Sequence, residues 1–202
     1  PNKELTDMFV PSFMHYIIQW GTLLIIGILA TESDVGVYSV AHRVSFLVNF
    51  ILIVLNSVTA PYFASFYKVG KIDELESLAI KSTKFMMLLG FPVFLCLFFF
   101  ATDLFSFLGE DFTKSGDILV ILIFGQLINV STGSVAFLLN MTGHQTHMRN
   151  IMLVSASVTV ISCIVLTSTL GIIGAAISTA IGLILQNLLA TWKVYKILNI
   201  KS

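Results

Sequence analysis

Leu88–Ala101 reads LLGFPVFLCLFFFA, a run with no charged side chain. Taken back to Phe85, it forms a segment, Phe85–Ala101, apolar enough to demand surroundings other than water. Working outward, five further segments share this character: Phe13–Ala30, Val37–Tyr62, Ile118–Leu139, Ile151–Thr167 and Ile172–Leu189. Each approaches the roughly 20 apolar residues that a helix needs to cross a bilayer. The composition agrees. Over 202 residues, hydrophobic side chains reach 56% and charged ones 11%, against roughly 45–50% and about 25% in soluble domains. So few charges cannot cover a water-soluble surface. The expected fold class is all-α: a polytopic membrane protein with six transmembrane helices.

Local signals refine the segments. Pro92 predicts a kink in the third helix, and Pro61 is expected to end or bend the second. Ser33 and Asp34 are candidate N-caps for the second helix. Gly70–Lys84 is the long polar connection, and its Leu75, Leu78 and Ala79 suggest a short interfacial amphipathic helix. The start at Pro1, without methionine or signal pattern, is expected of a segment of a longer polypeptide.

The net charge of zero offers nothing to a nucleic acid. It hides a sharp sorting, however. With six spans, one side of the bilayer collects Lys3, Lys68, Lys71, Lys81, Lys84, Arg149, Lys193, Lys196 and Lys201. The other side has Lys114 together with Glu32, Asp34, Asp103, Glu110, Asp111 and Asp117. The positive-inside rule makes the basic side cytoplasmic, with both termini on it. A helix count changed by one would scramble the pattern.

Polar residues within the spans are the candidate site. In the second helix, Tyr38, His42, Ser45, Asn49 and Asn56 recur at spacings that place them in one stripe about 60° wide. Such a stripe faces either neighbouring helices or a wet cavity. Arg43 lies about 13 Å along the helix from Asp34. It points about 100° away from His42 and is either a functional cation or a snorkelling or helix-pairing side chain. The first helix offers His15, Gln19 and Thr22, and the fourth Gln126, Asn129 and Gly133. In the sixth, Gly174, Ser178 and Gly182 form one ridge of small residues, and Gly171, Ala175 and Thr179 a second. Such ridges let backbones approach closely.

No carboxylate lies mid-span, and no nucleotide loop, zinc-protease or nucleophile-elbow motif is present. Cys96 and Cys163 have no metal or disulfide spacing. No cofactor and no metal is expected, and a transporter part is favoured over an enzyme. Asn129-Val130-Ser131 and Asn140-Met141-Thr142 match the glycosylation acceptor pattern, but one lies in the membrane and the other on the basic side.

Four stretches together resemble a known family: GVYSVAHRVSFLVNF, APYFASFYKVGK, GQLINVSTGSVAFLLNMTGHQTHMRN and GIIGAAISTAIGLILQN. The chain resembles Wzx-type bacterial flippases for O-antigen and exopolysaccharide, within the multidrug, oligosaccharidyl-lipid and polysaccharide exporter superfamily. The resemblance implies two six-helix lobes rocking around a central cavity. This chain is similar to the C-terminal lobe, with the N-terminal lobe missing. The implied cargo is a polyprenyl-pyrophosphate-linked oligosaccharide, carried across the bacterial inner membrane amid membrane lipids. Polysaccharide polymerase and glycosyltransferases are the implied partners. Arg43 would meet phosphate, and Tyr38, His42, Asn49 and Asn56 would meet sugar hydroxyls; His15, Gln19, Gln126 and Asn129 complete the candidate set. Two other readings stand beside it: a cation-coupled drug exporter of the same superfamily, and a membrane-embedded glycan enzyme. The exporter would call for a mid-span carboxylate, and the enzyme for a large outer loop.

Overall fold

A computed structural model describes residues 20–106 and 115–200. Every regular element in them is a helix: α1 (Trp20–Leu29), α2 (Glu32–Val69), α3 (Ile72–Phe99), α4 (Ala101–Ser106), α5 (Ser115–Thr132), α6 (Val135–Met141), α7 (Gln145–Leu170) and α8 (Ile172–Leu198). Five of these, α2, α3, α5, α7 and α8, are long and apolar enough to cross a membrane, and α1 is a shorter apolar helix. The expected all-α polytopic membrane fold is present. Its exterior, unlike that of a soluble protein, is apolar, and polar side chains are buried within a largely apolar interior. Leu24 (71%), Ile28 (82%) and Phe99 (70%) face outward, while Tyr38, Ser45 and Asn56 are wholly buried. Such an apolar exterior fits lipid.

The helix boundaries differ from the sequence expectation in instructive ways. α2 has 38 residues, about 57 Å at 1.5 Å per residue, so it outreaches a hydrocarbon core of about 30 Å. Its N-cap is Thr31, not Ser33 or Asp34. The Thr31 hydroxyl accepts from the Asp34 amide at 3.2 Å, and the Asp34 carboxylate accepts from the Thr31 amide at 3.1 Å. This reciprocal capping box satisfies two otherwise unpaired donors. Pro61 does not end the helix. Its ring stands on the exposed side, where no packed neighbour must move. The stop is Gly70, whose φ of 76° only glycine adopts freely, with Lys71 N–H donating to the Phe66 carbonyl at 2.9 Å.

The expected interfacial helix is instead the first half of α3. Leu75 and Ala79 are fully buried, in one cluster with Phe63, Val135 and Met148. The stripe continues in phase through Met86, Gly90, Phe94 and Leu97, so one rod buries one continuous face. The expected helix Ile118–Leu139 is in fact two. Gly133 has a φ of +66°, and a Cβ there would collide with the Thr83 side chain. The chain breaks into α5 and α6 at the point where α3 comes closest. α7 and α8 run further than expected at their basic ends.

Contacts also fix direction. Ser115 donates to the Val37 carbonyl and Asn129 to Asn49, separations of 78 and 80 residues, so α2 and α5 run parallel. Gly125 packs on Ala180 and Thr132 bonds Asn187, so α8 runs parallel to both. Gly182 meets Thr159 and Gly174 meets Thr167, so α7 is antiparallel to α8. Gly90 meets Val130 and Gly133 meets Thr83, which sets α3 antiparallel to α5. One end of the bundle therefore gathers Lys68, Lys71, Lys81, Lys84, Arg149, Lys193 and Lys196. The other end holds Glu32, Asp34, Asp103 and Asp117. At the basic end, Lys193 and Lys196 lie 5.6 and 5.1 Å from the Trp192 ring, an arrangement suited to a membrane interface.

Candidate functional site

The polar stripe of α2 turns into the bundle; two sets of hydrogen bonds meet it, and a third lies beside them. Near the acidic end, the Tyr38 hydroxyl is 2.9 Å from Thr179 Oγ1, which is 3.0 Å from Thr22 Oγ1. That set ties α1, α2 and α8 together. Further along, Asn129 Nδ2 donates to Asn49 Oδ1 at 3.0 Å and to Gln126 Oε1 at 3.3 Å. Next, Thr132 Oγ1 donates to Asn187 Oδ1 at 3.0 Å, joining α5 to α8. In lipid these bonds matter because a freed polar group has no water to turn to.

His42 is held by rings. It stacks on Tyr38 with centroids 5.7 Å apart, and meets Phe46 edge-on at 5.0 Å and Trp20 at 6.3 Å. Ser45 turns its hydroxyl back to the His42 carbonyl at 2.7 Å. Asn56 is wholly buried, with neither side-chain atom paired. Arg43, one position past His42, lies on the exposed face of α2. The structure thus brings Asn49, Gln126 and Asn129 together, sets Tyr38 and His42 side by side, and leaves Arg43 outside that interior. His15 and Gln19 lie outside the described residues.

Sequence reading missed Thr132 and Asn187 as polar anchors. The signal for Asn187 was its place in the apolar run LILQNLLA of α8. The ridge of small residues also does two jobs: Gly174 and Gly182 admit α7, while Thr179 on the second ridge closes the Tyr38 set. No group of three or more His, Cys, Asp or Glu side chains is poised to hold a metal among the described residues.

The Asn49–Asn129 pair makes a direct prediction. Asn129→Leu alone leaves the Asn49 carboxamide unpaired and should cost about 1–2 kcal/mol. The Asn49→Leu/Asn129→Leu double variant should recover part of that loss. A double-mutant cycle on detergent melting midpoints checks it, and additive losses would show that the pair is not coupled.

Helices apolar outside and hydrogen-bonded inside define a polytopic membrane protein. The profile of the family described as "Polysaccharide biosynthesis protein" matches residues 6–117, just over half the chain, and the chain belongs to that family. It is also 26% identical, over 196 residues, to a Haloferax volcanii protein named "Probable low-salt glycan biosynthesis flippase Agl15". That alignment covers 95% of this chain but 41% of the relative, so the chain spans well under half the relative's length.

Proposed function

We propose that this chain is one six-helix lobe of a flippase that carries lipid-linked oligosaccharide across the cytoplasmic membrane for polysaccharide biosynthesis. The observation that carries the reading is the alignment of almost the whole chain with a protein named as a glycan biosynthesis flippase. The cargo is read as a polyprenyl-pyrophosphate-linked unit. Its lipid tail is compatible with hydrocarbon, whereas its phosphates and sugars are costly to desolvate. A protein path must therefore replace water with cations and hydrogen-bonding groups along the way.

The basic end of the bundle is read as cytoplasmic, which places both termini there. Arg43 is read as the cation that meets phosphate, since a guanidinium fits its oxygens two at a time. Behind it, Tyr38, Asn49, Gln126 and Asn129 tie the helices of the lobe together by hydrogen bonds, and a second lobe closes the path. The mechanism is alternating access. Rocking of the lobes exposes the path to one leaflet and then to the other.

The test is leaflet exchange of a fluorescent polyprenyl-pyrophosphate oligosaccharide by the complete protein in proteoliposomes, read by an impermeant quencher. The quenchable fraction is expected to rise from the one-leaflet level of empty liposomes towards completion. Exchange no faster than in empty liposomes, together with efflux of lipophilic cationic drugs, would sink the reading in favour of a drug exporter.

A further inference from the structure

Among the described residues, four buried side-chain atoms have no hydrogen-bond partner: Asn56 Nδ2 and Oδ1, Ser134 Oγ and Ser155 Oγ. They come from three helical regions far apart in sequence, yet the helix registers bring them to one level. The Val37–Ser115 and Asn49–Asn129 bonds fix α5 beside α2 at separations of 78 and 80 residues. Carried along the parallel pair, that register sets Asn56 beside residues 134–136, where α5 gives way to α6. Helix α2 packs on α6. In the antiparallel α7–α8 pair, the contacts of Gly174 with Thr167 and of Gly182 with Thr159 set Ser155 opposite residue 186. That is one position from Asn187, which holds Thr132 at the end of α5. The unpaired atoms therefore lie at the level of the break at Gly133.

Their unpaired state is not the habit of this chain. Ser45, Ser82, Ser162 and Ser178 all return their hydroxyls to a carbonyl of their own helix, as serines in apolar helices commonly do. Ser155 does not. An unpaired buried group costs about 1–3 kcal/mol, and three such residues at one level point to something that pairs with them all.

We infer that the break between α5 and α6 carries an internal hydration site, in which ordered water bridges Asn56, Ser134 and Ser155. Water is the fitting ligand because the set mixes a donor-only atom, Asn56 Nδ2, with acceptors and hydroxyls, and a water molecule both donates and accepts. A bare cation would leave that amide donor unpaired and repelled, and among the described residues no group of three or more acidic, histidine or cysteine side chains stands by to hold it. A buried water usually makes about three hydrogen bonds to groups of this kind. The inference rests on helix registers and unpaired atoms, and it holds whatever the cargo is.

X-ray hydroxyl-radical footprinting of the complete protein in detergent, with a scavenger of bulk radicals present, tests it. Radicals born on internal water label the nearest side chains. Met152 lies one turn before Ser155 on the same face and is 7% exposed; Met148, a further turn towards the basic end, is 2% exposed. Met152 is expected to label several-fold faster than Met148 despite the scavenger, and equal slow labelling would overturn the inference. In an Asn56→Leu/Ser155→Ala variant the Met152 rate should fall to that of Met148. If that variant fails to fold, the melting midpoint of Asn56→Leu alone decides. A lower midpoint fits a hydrated amide, and a higher one would show that the amide was dry.

Discussion

Replacing Gly174 with alanine is expected to cost the protein most of its folded yield. A Cβ at that position would fall on the carbonyl of Leu166 and close to the Thr167 nitrogen. These are backbone atoms of α7, so no rotamer change relieves the clash. The two helices would have to separate along their whole contact, next to the Gly171 corner that joins them. Overpacking of a core commonly costs about 1–3 kcal/mol, and more where nothing can yield. That is a large share of a typical margin of about 5–15 kcal/mol.

Two comparisons make the prediction specific. At Gly182 an added Cβ meets the Thr159 hydroxyl, a side chain that can turn, so Gly182→Ala should be milder. At Gly36 nothing lies within 4 Å, so Gly36→Ala should be neutral or stabilising, by up to about 1 kcal/mol. Size-exclusion profiles and detergent melting midpoints of the three variants should rank in that order. Equal behaviour at Gly174 and Gly36 would mean that α7 and α8 do not pack as described.

Replacing Arg43 with alanine should affect transport and spare folding. The residue is exposed on α2, so truncation opens no cavity and strands no buried partner. If its guanidinium meets a phosphate, removing it deletes hydrogen bonds to a charged group, each worth about 1.5–3 kcal/mol. At 1.4 kcal/mol per tenfold, leaflet exchange should fall about 10- to 100-fold at equal protein level. Arg43→Lys keeps the charge and loses the planar fork, so it should fall between the two. Reconstituted exchange rates with matched melting midpoints check both. An Arg43→Ala protein that flips at the parental rate would remove this residue from the path.

Much of this architecture was legible along the chain. The charge sorting needed only the positions of lysines and acids, and the structure gathers those among the described residues at opposite ends of one bundle. The stripe Tyr38–His42–Ser45–Asn49–Asn56 was legible because helical periodicity is a local property, and it turns inward as its spacing requires. The ending expected at Pro61 does not occur: one lost backbone hydrogen bond does not stop the helix, which runs on to Gly70. The break at Gly133 was hidden. Nothing in the apolar run from Ile118 to Leu139 forces a stop, and the need for glycine comes from Thr83, fifty positions earlier on another helix.

By itself the sequence determined that this protein lives in a membrane, which way its charges sort and which face of α2 is polar. Those properties add up residue by residue, as transfer free energies do, and need no knowledge of neighbours. Only the tertiary structure decided that Tyr38 meets Thr179, that Asn49 meets Asn129, that Thr132 meets Asn187, and that Arg43 is left outside. A hydrogen bond needs two groups within about 3 Å, and that distance depends on how whole helices pack.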